Sequence, residues 1–162
     1  LDDGPVLAQT EVAILPGDDA DSLASRILIA EHQLYPGALA RYVKRALALE
    51  ETHERASFGA PGWRVGSETT GKYFAYFAQS HHGEASIALL VKTTGIDEQT
   101  ALIDADPDLY YAPKFYGKSG WIAIRLDQGR TDWDHIGEWL YKSWCQVAPK
   151  RLTRLIEIAD QF

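Results

Sequence analysis

A group of basic side chains near the end of the chain is suited to binding a phosphate. Lys150, Arg151 and Arg154 lie together on a predicted final helix that begins after Pro149. Lysine and arginine bind phosphate oxygens, and neighbouring aromatic rings can stack on bases. The alternative is a solvated helix whose long side chains cover apolar neighbours. The residues that could join this group in space are Arg64, Lys72, Lys114, Lys118 and Lys142, with Trp63, Tyr116 and Trp121 as stacking platforms.

Two further patterns contain residue types that can do chemistry. His81 and His82 precede Gly83 and Glu84, but adjacent residues of a strand point to opposite faces, and the spacing matches no common zinc motif. A turn between strands is the better interpretation, so we predict no metal site. Cys145 is the only cysteine, and the sequence indicates neither a base nor an oxyanion site beside it. We therefore predict a buried structural thiol, and no cofactor bound by this chain.

The overall composition restricts the partners and the compartment. The formal net charge of −7 argues against broad attraction to nucleic acid, which requires an excess of basic residues. A single cysteine cannot form an intrachain disulfide, so a reducing compartment is expected. No apolar run reaches the roughly 20 residues of a membrane helix, and the chain does not open on a signal-peptide pattern. We predict a cytoplasmic protein with no membrane association.

The hydrophobic pattern after residue 38 predicts strands grouped between helices. Such runs of strands, without regular βαβ alternation, favour an antiparallel sheet with helices on one face. The fold class is therefore α+β, a two-layer α-β3-α-β2-α domain. The predicted strands are residues 63–65, 72–79, 85–92, 109–112 and 120–126, and the predicted helices are 38–51, 97–104, 133–147 (after an Asp132 cap) and 150–159.

An extension precedes this domain. Residues 4–15 alternate in a β-like way, and residues 19–35 have helical spacing that Pro36 and Gly37 interrupt. The extension is also the more acidic part. Residues 1–43 hold seven acidic and two basic side chains, a balance of −5, whereas residues 44–162 hold 16 acidic and 14 basic ones, a balance of −2.

Five landmarks in the second part resemble the MmcQ/YjbR family. They are SFGAPGWRV at residues 57–65, KYFA at 72–75, DPDLYY at 106–111, GWI at 120–122 and APKRL at 148–152. The resemblance covers residues 38–162 and implies a two-layer α+β fold with an antiparallel sheet. Members of the family are commonly labelled DNA-binding. We accordingly predict a non-catalytic accessory module that binds DNA or a phosphorylated small molecule.

Three landmarks in the first part resemble the C-terminal end of glycinamide ribonucleotide transformylase (phosphoribosylglycinamide formyltransferase). They are LDDGPVL at residues 1–7, PGD at 16–18 and EHQLYP at 31–36. The resemblance implies formyl transfer from 10-formyltetrahydrofolate to an amine in purine biosynthesis. It assigns a catalytic aspartate to Asp2 and a contact with the substrate ribose to Glu31.

The rest of that family's active site lies upstream and is absent from these 162 residues. A lone carboxylate cannot orient two substrates and move protons between them, so we expect no formyl transfer from this chain alone. The chain also contains no methionine. We expect a fragment of a longer parent enzyme, with residues 1–43 as the remnant and 44–162 as the appended domain. The alternatives are an enzymatic role within that parent, and a structural role in which the helix at residues 19–35 mediates self-association through Leu23, Ile27, Leu28 and Leu34.

Overall fold

A computed structural model describes residues 8–45, 49–57, 60–79, 87–127 and 131–159. The chain divides into two compact units, residues 1–47 and 48–162. The predicted junction after residue 43 falls four residues before the division between these units.

The first unit contains one long helix, α1 (Ala20–Arg45). Asp19 caps its start by accepting a hydrogen bond from the backbone N–H of Ser22 at 2.8 Å, and Asp18 forms an ion pair with Arg26. The predicted interruption at Pro36 is wrong, because the helix continues through it. Proline lacks one backbone donor and costs about 3 kcal/mol inside a helix, but its fixed φ is helical, so long flanking segments can carry the helix across it.

The β-like pattern at the start of the chain does not form a strand where the structure describes it. Residues 8–15 have no regular secondary structure, and residues 1–7 lie outside the described residues. A strand requires a neighbour for its backbone hydrogen bonds, and the described part of this unit provides no partner strand. Alternation alone therefore gave a wrong prediction here.

The second unit is built on a six-stranded antiparallel sheet in the order β1-β2-β3-β4-β6-β5. This confirms the predicted α+β class. The pattern analysis does not predict β1, because its three residues are polar and show no hydrophobic alternation. The strands are β1 (Thr52–Glu54), β2 (Gly62–Val65), β3 (Lys72–Gln79), β4 (Ile87–Lys92), β5 (Tyr110–Tyr111) and β6 (Trp121–Arg125).

One face of the sheet is covered by helix α3 (Trp133–Val147), which packs on β3 and β4. Asp132 caps the helix as predicted, accepting hydrogen bonds from the backbone N–H groups of Asp134 and His135 at 3.1 Å each. The apolar side of α3 is buried against the sheet and forms the main core of this unit. Its buried members include Ile136, Trp139, Leu140 and Trp144.

Two polar contacts fix α3 on the sheet. The Ser143 hydroxyl donates to the carbonyl oxygen of Phe74 at 2.5 Å and accepts from the backbone N–H of Lys92 at 2.8 Å. At the other end of the helix, the Tyr110 hydroxyl and His135 Nε2 are 2.5 Å apart. Burial raises the pKa of Tyr110, and we assign this contact a structural role.

Two further helices complete the unit. Helix α2 (Ile96–Ala105) lies beside β5 and the short 3-10 helix Gly117–Ser119. The buried Gln99 amide ties these parts together by donating to the carbonyl oxygens of Gly117 and Trp121 at 2.8 and 2.6 Å. Helix α4 (Lys150–Ala159) has the predicted bounds, and its Leu152 is buried.

Candidate ligand-binding face

The sheet face that α3 leaves uncovered carries a layer of aromatic side chains. Beneath this layer lies a second buried cluster, to which α3 contributes no described residue. The cluster consists of Ala78, Ala88, Leu90, Trp121 and Ala123, and the tyrosines packed against it are Tyr73, Tyr76, Tyr111 and Tyr116. We call the rings of Tyr73, Tyr76, Tyr116 and Trp121 the tyrosine layer.

The rings of the tyrosine layer contact one another in a continuous set. Tyr73 and Tyr76 are stacked with centroids 4.6 Å apart. Tyr76 also lies 5.5 Å from Tyr116 and 5.2 Å from Trp121, and those last two rings are 6.1 Å apart. Trp121 is 7% exposed, whereas the three tyrosines are half-buried. The layer therefore covers the sheet while part of each tyrosine stays exposed.

Two local features place Tyr73 and Tyr76 on the same face. Trp63 pairs with Ala75 and Arg64 with Tyr73, so the register between β2 and β3 shifts by one residue. The extra residue reverses the alternation of side chains, and two tyrosines three positions apart then point the same way. Gly62 provides the space, because a Cβ there would lie 3.0 Å from a ring carbon of each tyrosine.

Arg64 holds the outer side of this layer. Its guanidinium carbon lies 4.9 Å from the Tyr73 ring centroid, and its Nε donates to the carbonyl oxygen of Gly71 at 2.8 Å. Arg64 and Tyr76 both lie close to the Tyr73 ring and cover part of it. A ligand would therefore meet the edges and hydroxyl groups of the layer more than open ring faces.

The packing of these rings changes the acidity of one hydroxyl. Burial, followed by the neighbouring Tyr116 and Tyr73, raises the pKa of Tyr76 well above its ordinary value, while Arg64 lowers it slightly. Tyr76 therefore stays neutral at physiological pH. It can donate a hydrogen bond to an anionic oxygen without carrying a charge of its own.

The strand register brings two of the predicted basic residues to one end of the sheet. Lys72 begins β3 opposite Val65, and Lys92 ends β4 opposite Trp121, so the start of β6 lies at this end as well. Lys118 immediately precedes β6 in the short 3-10 helix, and both Lys72 and Lys118 are exposed.

Helix α4 starts at the same end of the sheet. Pro149 Cγ lies 4.0 Å from where a Cβ on Gly66 would stand, and Gly66 directly follows β2. The exposed Lys150 follows Pro149. We call Lys72, Lys118 and Lys150 the basic end. Lys114 is exposed in the segment between β5 and the 3-10 helix, four residues before Lys118.

Two of the predicted phosphate ligands contact protein groups. Arg151 forms a two-oxygen ion pair with the Glu51 carboxylate at 2.5 Å, and that hydrogen bond raises the pKa of Arg151. Arg64 is tied to the β2–β3 turn. Arg154 is exposed one turn beyond Lys150 on α4, where residues four apart share a helix face.

One predicted stacking platform is wrong. Trp63 is only 2% exposed, because strand alternation turns it away from the face that carries Arg64. Tyr116 and Trp121 do lie in the tyrosine layer. Sequence reasoning missed Tyr73 and Tyr76, since nothing in the pattern of β3 signals the register shift that aligns them.

The other chemical patterns form no centre in the described ranges. The prediction that Cys145 is buried is wrong. Its side chain is partly exposed, because it lies at the edge of the face of α3 that packs on the sheet. The His81–Glu84 pattern falls outside the described residues. Within the described residues, no group of three His, Cys, Asp or Glu side chains could hold a metal ion.

The residues predicted from the transformylase resemblance lie in the first unit. Asp2 is outside the described residues, and Glu31 is exposed on α1. The apolar side chains expected on this helix are only partly exposed, with Leu23 and Leu34 half-buried and Ile27 and Leu28 exposed by 40% and 46%. Over the part of the chain that has coordinates, no helix is long and apolar enough to cross a membrane.

Short stretches of the chain are similar to parts of much larger proteins. One stretch is 47% identical over 47 residues to the trifunctional purine biosynthetic protein adenosine-3 of Drosophila pseudoobscura pseudoobscura, covering 29% of this chain. Its counterpart from Drosophila melanogaster is 51% identical over 43 residues, covering 26% of this chain. The chain spans about 3% of the length of these curated relatives.

The fold and a family match extend over most of the second unit. The crystal structure of the Deinococcus radiodurans protein DR2400, a DUF419-domain protein, superimposes with a TM-score of 0.53 at 19% identity. That match covers 67% of this chain and 80% of the other, and it shows a common fold. The family described as YjbR matches residues 47–146, well over half of the chain. On this evidence the chain belongs to the YjbR family.

Proposed function

We propose that the YjbR domain is a non-catalytic accessory module that binds a phosphate-bearing ligand, either DNA or a phosphorylated small molecule. The observation that carries the proposal is the tyrosine layer, which lies half exposed on the sheet face opposite α3. Such a layer supplies hydroxyl donors and flat apolar edges, and the basic end supplies phosphate contacts. Tyrosines and cations together are a composition typical of recognition surfaces.

Because the domain has a small negative net charge, we expect the ligand to be bound at a local site and not along an extended basic surface. Phosphate contacts release counterions, so their number is measured by the dependence of affinity on salt. The proposal involves a few exposed lysines, and the salt dependence should accordingly be shallow. A steep dependence would indicate an extended basic surface that the residue balance does not support.

Fluorescence anisotropy tests this proposal with three probes: labelled single-stranded DNA, labelled duplex DNA, and fluorescently labelled adenosine 5′-monophosphate. Each probe is measured at two salt concentrations. Lys72→Ala and Lys118→Ala should each weaken binding several-fold, whereas Lys142→Ala, which removes a lysine 5.0 Å from the Trp139 ring on α3, should not. Absence of binding by all three probes at low salt would reject the proposal, and equal effects of the three substitutions would place the ligand elsewhere.

A second proposal concerns the longer parent. The short matches to trifunctional purine biosynthetic proteins support a formyltransferase parent that uses 10-formyltetrahydrofolate, with Asp2 and Glu31 as parts of its active site. This chain alone is expected to be inactive. Formyl-transfer assays on this chain and on a chain extended upstream would test it, and activity of the 162 residues alone would contradict it.

A third proposal is structural. The exposed Ile27, Leu28 and Ile29 on α1 support self-association of two copies through this helix. Sedimentation of the intact chain, compared with Ile27→Ser plus Leu28→Ser, should show a dimer that the substitutions dissociate. A monomeric wild-type chain would overturn this role.

A further inference from the structure

Two arginines converge on a single backbone oxygen beside the tyrosine layer. The carbonyl oxygen of Glu68, in the β2–β3 turn, lies 3.4 Å from Arg55 Nη1 and 3.3 Å from Arg64 Nη1. Both contacts are long for hydrogen bonds between N–H and O. The Glu68 carbonyl oxygen thus brings two guanidinium groups close together, and Arg64 is held in place by further donation from its Nε and Nη2 to the carbonyl oxygen of Gly71.

This pair of charges is not neutralised within the described part of the chain. Neither arginine forms an ion pair there; the described salt bridges join Arg26 to Asp18 and Arg151 to Glu51. Like charges held together without a counter-charge repel each other, and an anion between them would remove that repulsion. The arrangement therefore favours an oxyanion ligand.

The turn that holds the pair is closely packed around Gly71. Arg64 is fixed through its Nε bond to Gly71, and a Cβ on Gly71 would come within 2.6 Å of the Ser67 carbonyl oxygen and 2.7 Å of the Val65 carbonyl oxygen. Arg55 is exposed and keeps most of its donors available. One guanidinium is therefore preset and the other can close on a ligand.

We propose that Arg55 and Arg64 form a binding site for the phosphate group of the ligand. Arginine suits this task because its planar fork contacts two phosphate oxygens at once. Arg64 also lies over Tyr73, so the rest of a phosphorylated ligand would contact the exposed edges of Tyr73 and Tyr76. This inference rests on the proposed function and names the atoms that take the phosphate.

Nuclear magnetic resonance of the arginine side chains tests the site directly in the intact chain. Inorganic phosphate, acetate and chloride are titrated at equal ionic strength while the arginine Nε–Hε signals are followed. The Arg55 and Arg64 signals should shift saturably with phosphate, less with acetate, and not with chloride. Equal small shifts of all arginines would indicate general screening and would overturn the site.

A matched pair of variants then links the site to the ligand. Adenosine 5′-monophosphate should bind at least about tenfold more tightly than adenosine, a difference that charge-assisted hydrogen bonds to phosphate can supply. Arg55→Gln should abolish this difference, whereas Arg154→Gln, the same change on the exposed side of α4, should preserve it. Arg64 is left intact because it also holds the turn.

The outcomes separate this site from the broader proposal. If the nucleotide or DNA binds and Arg55→Gln has no effect, the arginine site is wrong and the binding module remains. If neither binds but phosphate shifts Arg55 and Arg64 saturably, the site is right and the proposed ligand class is wrong. If phosphate causes no saturable shift of these two signals, the site is rejected.

Discussion

The two faces of the sheet differ in how they are closed. Under α3, bulky aliphatic side chains such as Leu89, Val91 and Ile122 are completely buried. On the opposite face, the buried members are mostly small, and half-buried tyrosines cover them. Dense aliphatic packing contributes stability and presents no polar groups, whereas a tyrosine cover leaves hydroxyls at the surface. Stability therefore rests mainly on the α3 face, and the tyrosine face is the one on which we propose that a ligand binds.

The largest expected effect is on the α3 face. Leu140 is 0% exposed, so Leu140→Ala should destabilise the second unit by about 2–5 kcal/mol through lost burial and a residual cavity. Leu28→Ala, at a leucine that is 46% exposed, is the matched control and should cost far less. Urea unfolding monitored by tryptophan fluorescence measures both. Similar losses would mean that α3 does not close the main core.

A smaller loss is expected where the tyrosine layer rests on β2. Gly62→Ala places a methyl group 3.0 Å from the rings of Tyr73 and Tyr76, and the overpacking should cost about 1–3 kcal/mol. Gly95→Ala has no heavy atom within 4 Å of its added methyl and should be nearly neutral.

Near-ultraviolet circular dichroism distinguishes this effect from general destabilisation. Gly62→Ala should change the tyrosine signal and weaken phospholigand binding while the far-ultraviolet spectrum stays unchanged. An unaltered tyrosine signal would show that the rings do not depend on this glycine.

The tyrosine face should also respond to alkaline pH. Because the pKa of Tyr76 is raised in the folded chain, the neutral hydroxyl is favoured by folding. Its contribution to the free energy of unfolding is complete below the pKa of tyrosine in the unfolded chain, about 10, and is lost as the pH rises above that value. Ultraviolet absorbance of tyrosinate, together with unfolding at several alkaline pH values, checks this. Tyr76→Phe should flatten part of the decline, and an identical pH profile would contradict the assignment.

The smallest effect concerns the contact that joins α4 to the segment before β1. Glu51→Gln breaks an ion pair with Arg151 whose partners are both exposed, so the expected loss is only about 0–1 kcal/mol. High salt should reduce the difference further. Thermal unfolding of the variant at low and high salt measures it, and a loss of several kcal/mol would mean that α4 is essential to the unit.

The sequence predicts most of the second unit because its elements carry strong local signals. The Asp132 cap and the apolar stripe of α3 predict a helix with the observed bounds. The predicted bounds of β3 and α4 also match the observed ones. The β1 strand and the continuous α1 could not be predicted. β1 exists because β2 offers it a partner, and α1 crosses Pro36 although proline usually ends a helix.

The candidate site was predictable only in part, for a similar reason. Lys72, Lys118 and Tyr116 stand out by type, and their segments were recognisable as strand and loop. Tyr73 and Tyr76 share a face only through the register shift in β3, and Arg55 meets Arg64 only through a turn carbonyl. These relations depend on which strands pair and in what register, information that no local pattern contains.

The most direct test of the proposed ligand binding at the tyrosine face is a map of backbone amide shifts. The intact labelled chain is titrated with adenosine 5′-monophosphate and, separately, with a 5′-phosphorylated oligonucleotide. Saturable shifts should concentrate at Gly62, Gly71, Tyr73 and Tyr76 and spare the residues of α3. Saturable shifts centred on α3, or no saturable shifts with either ligand, would contradict the proposal that the tyrosine face binds the ligand.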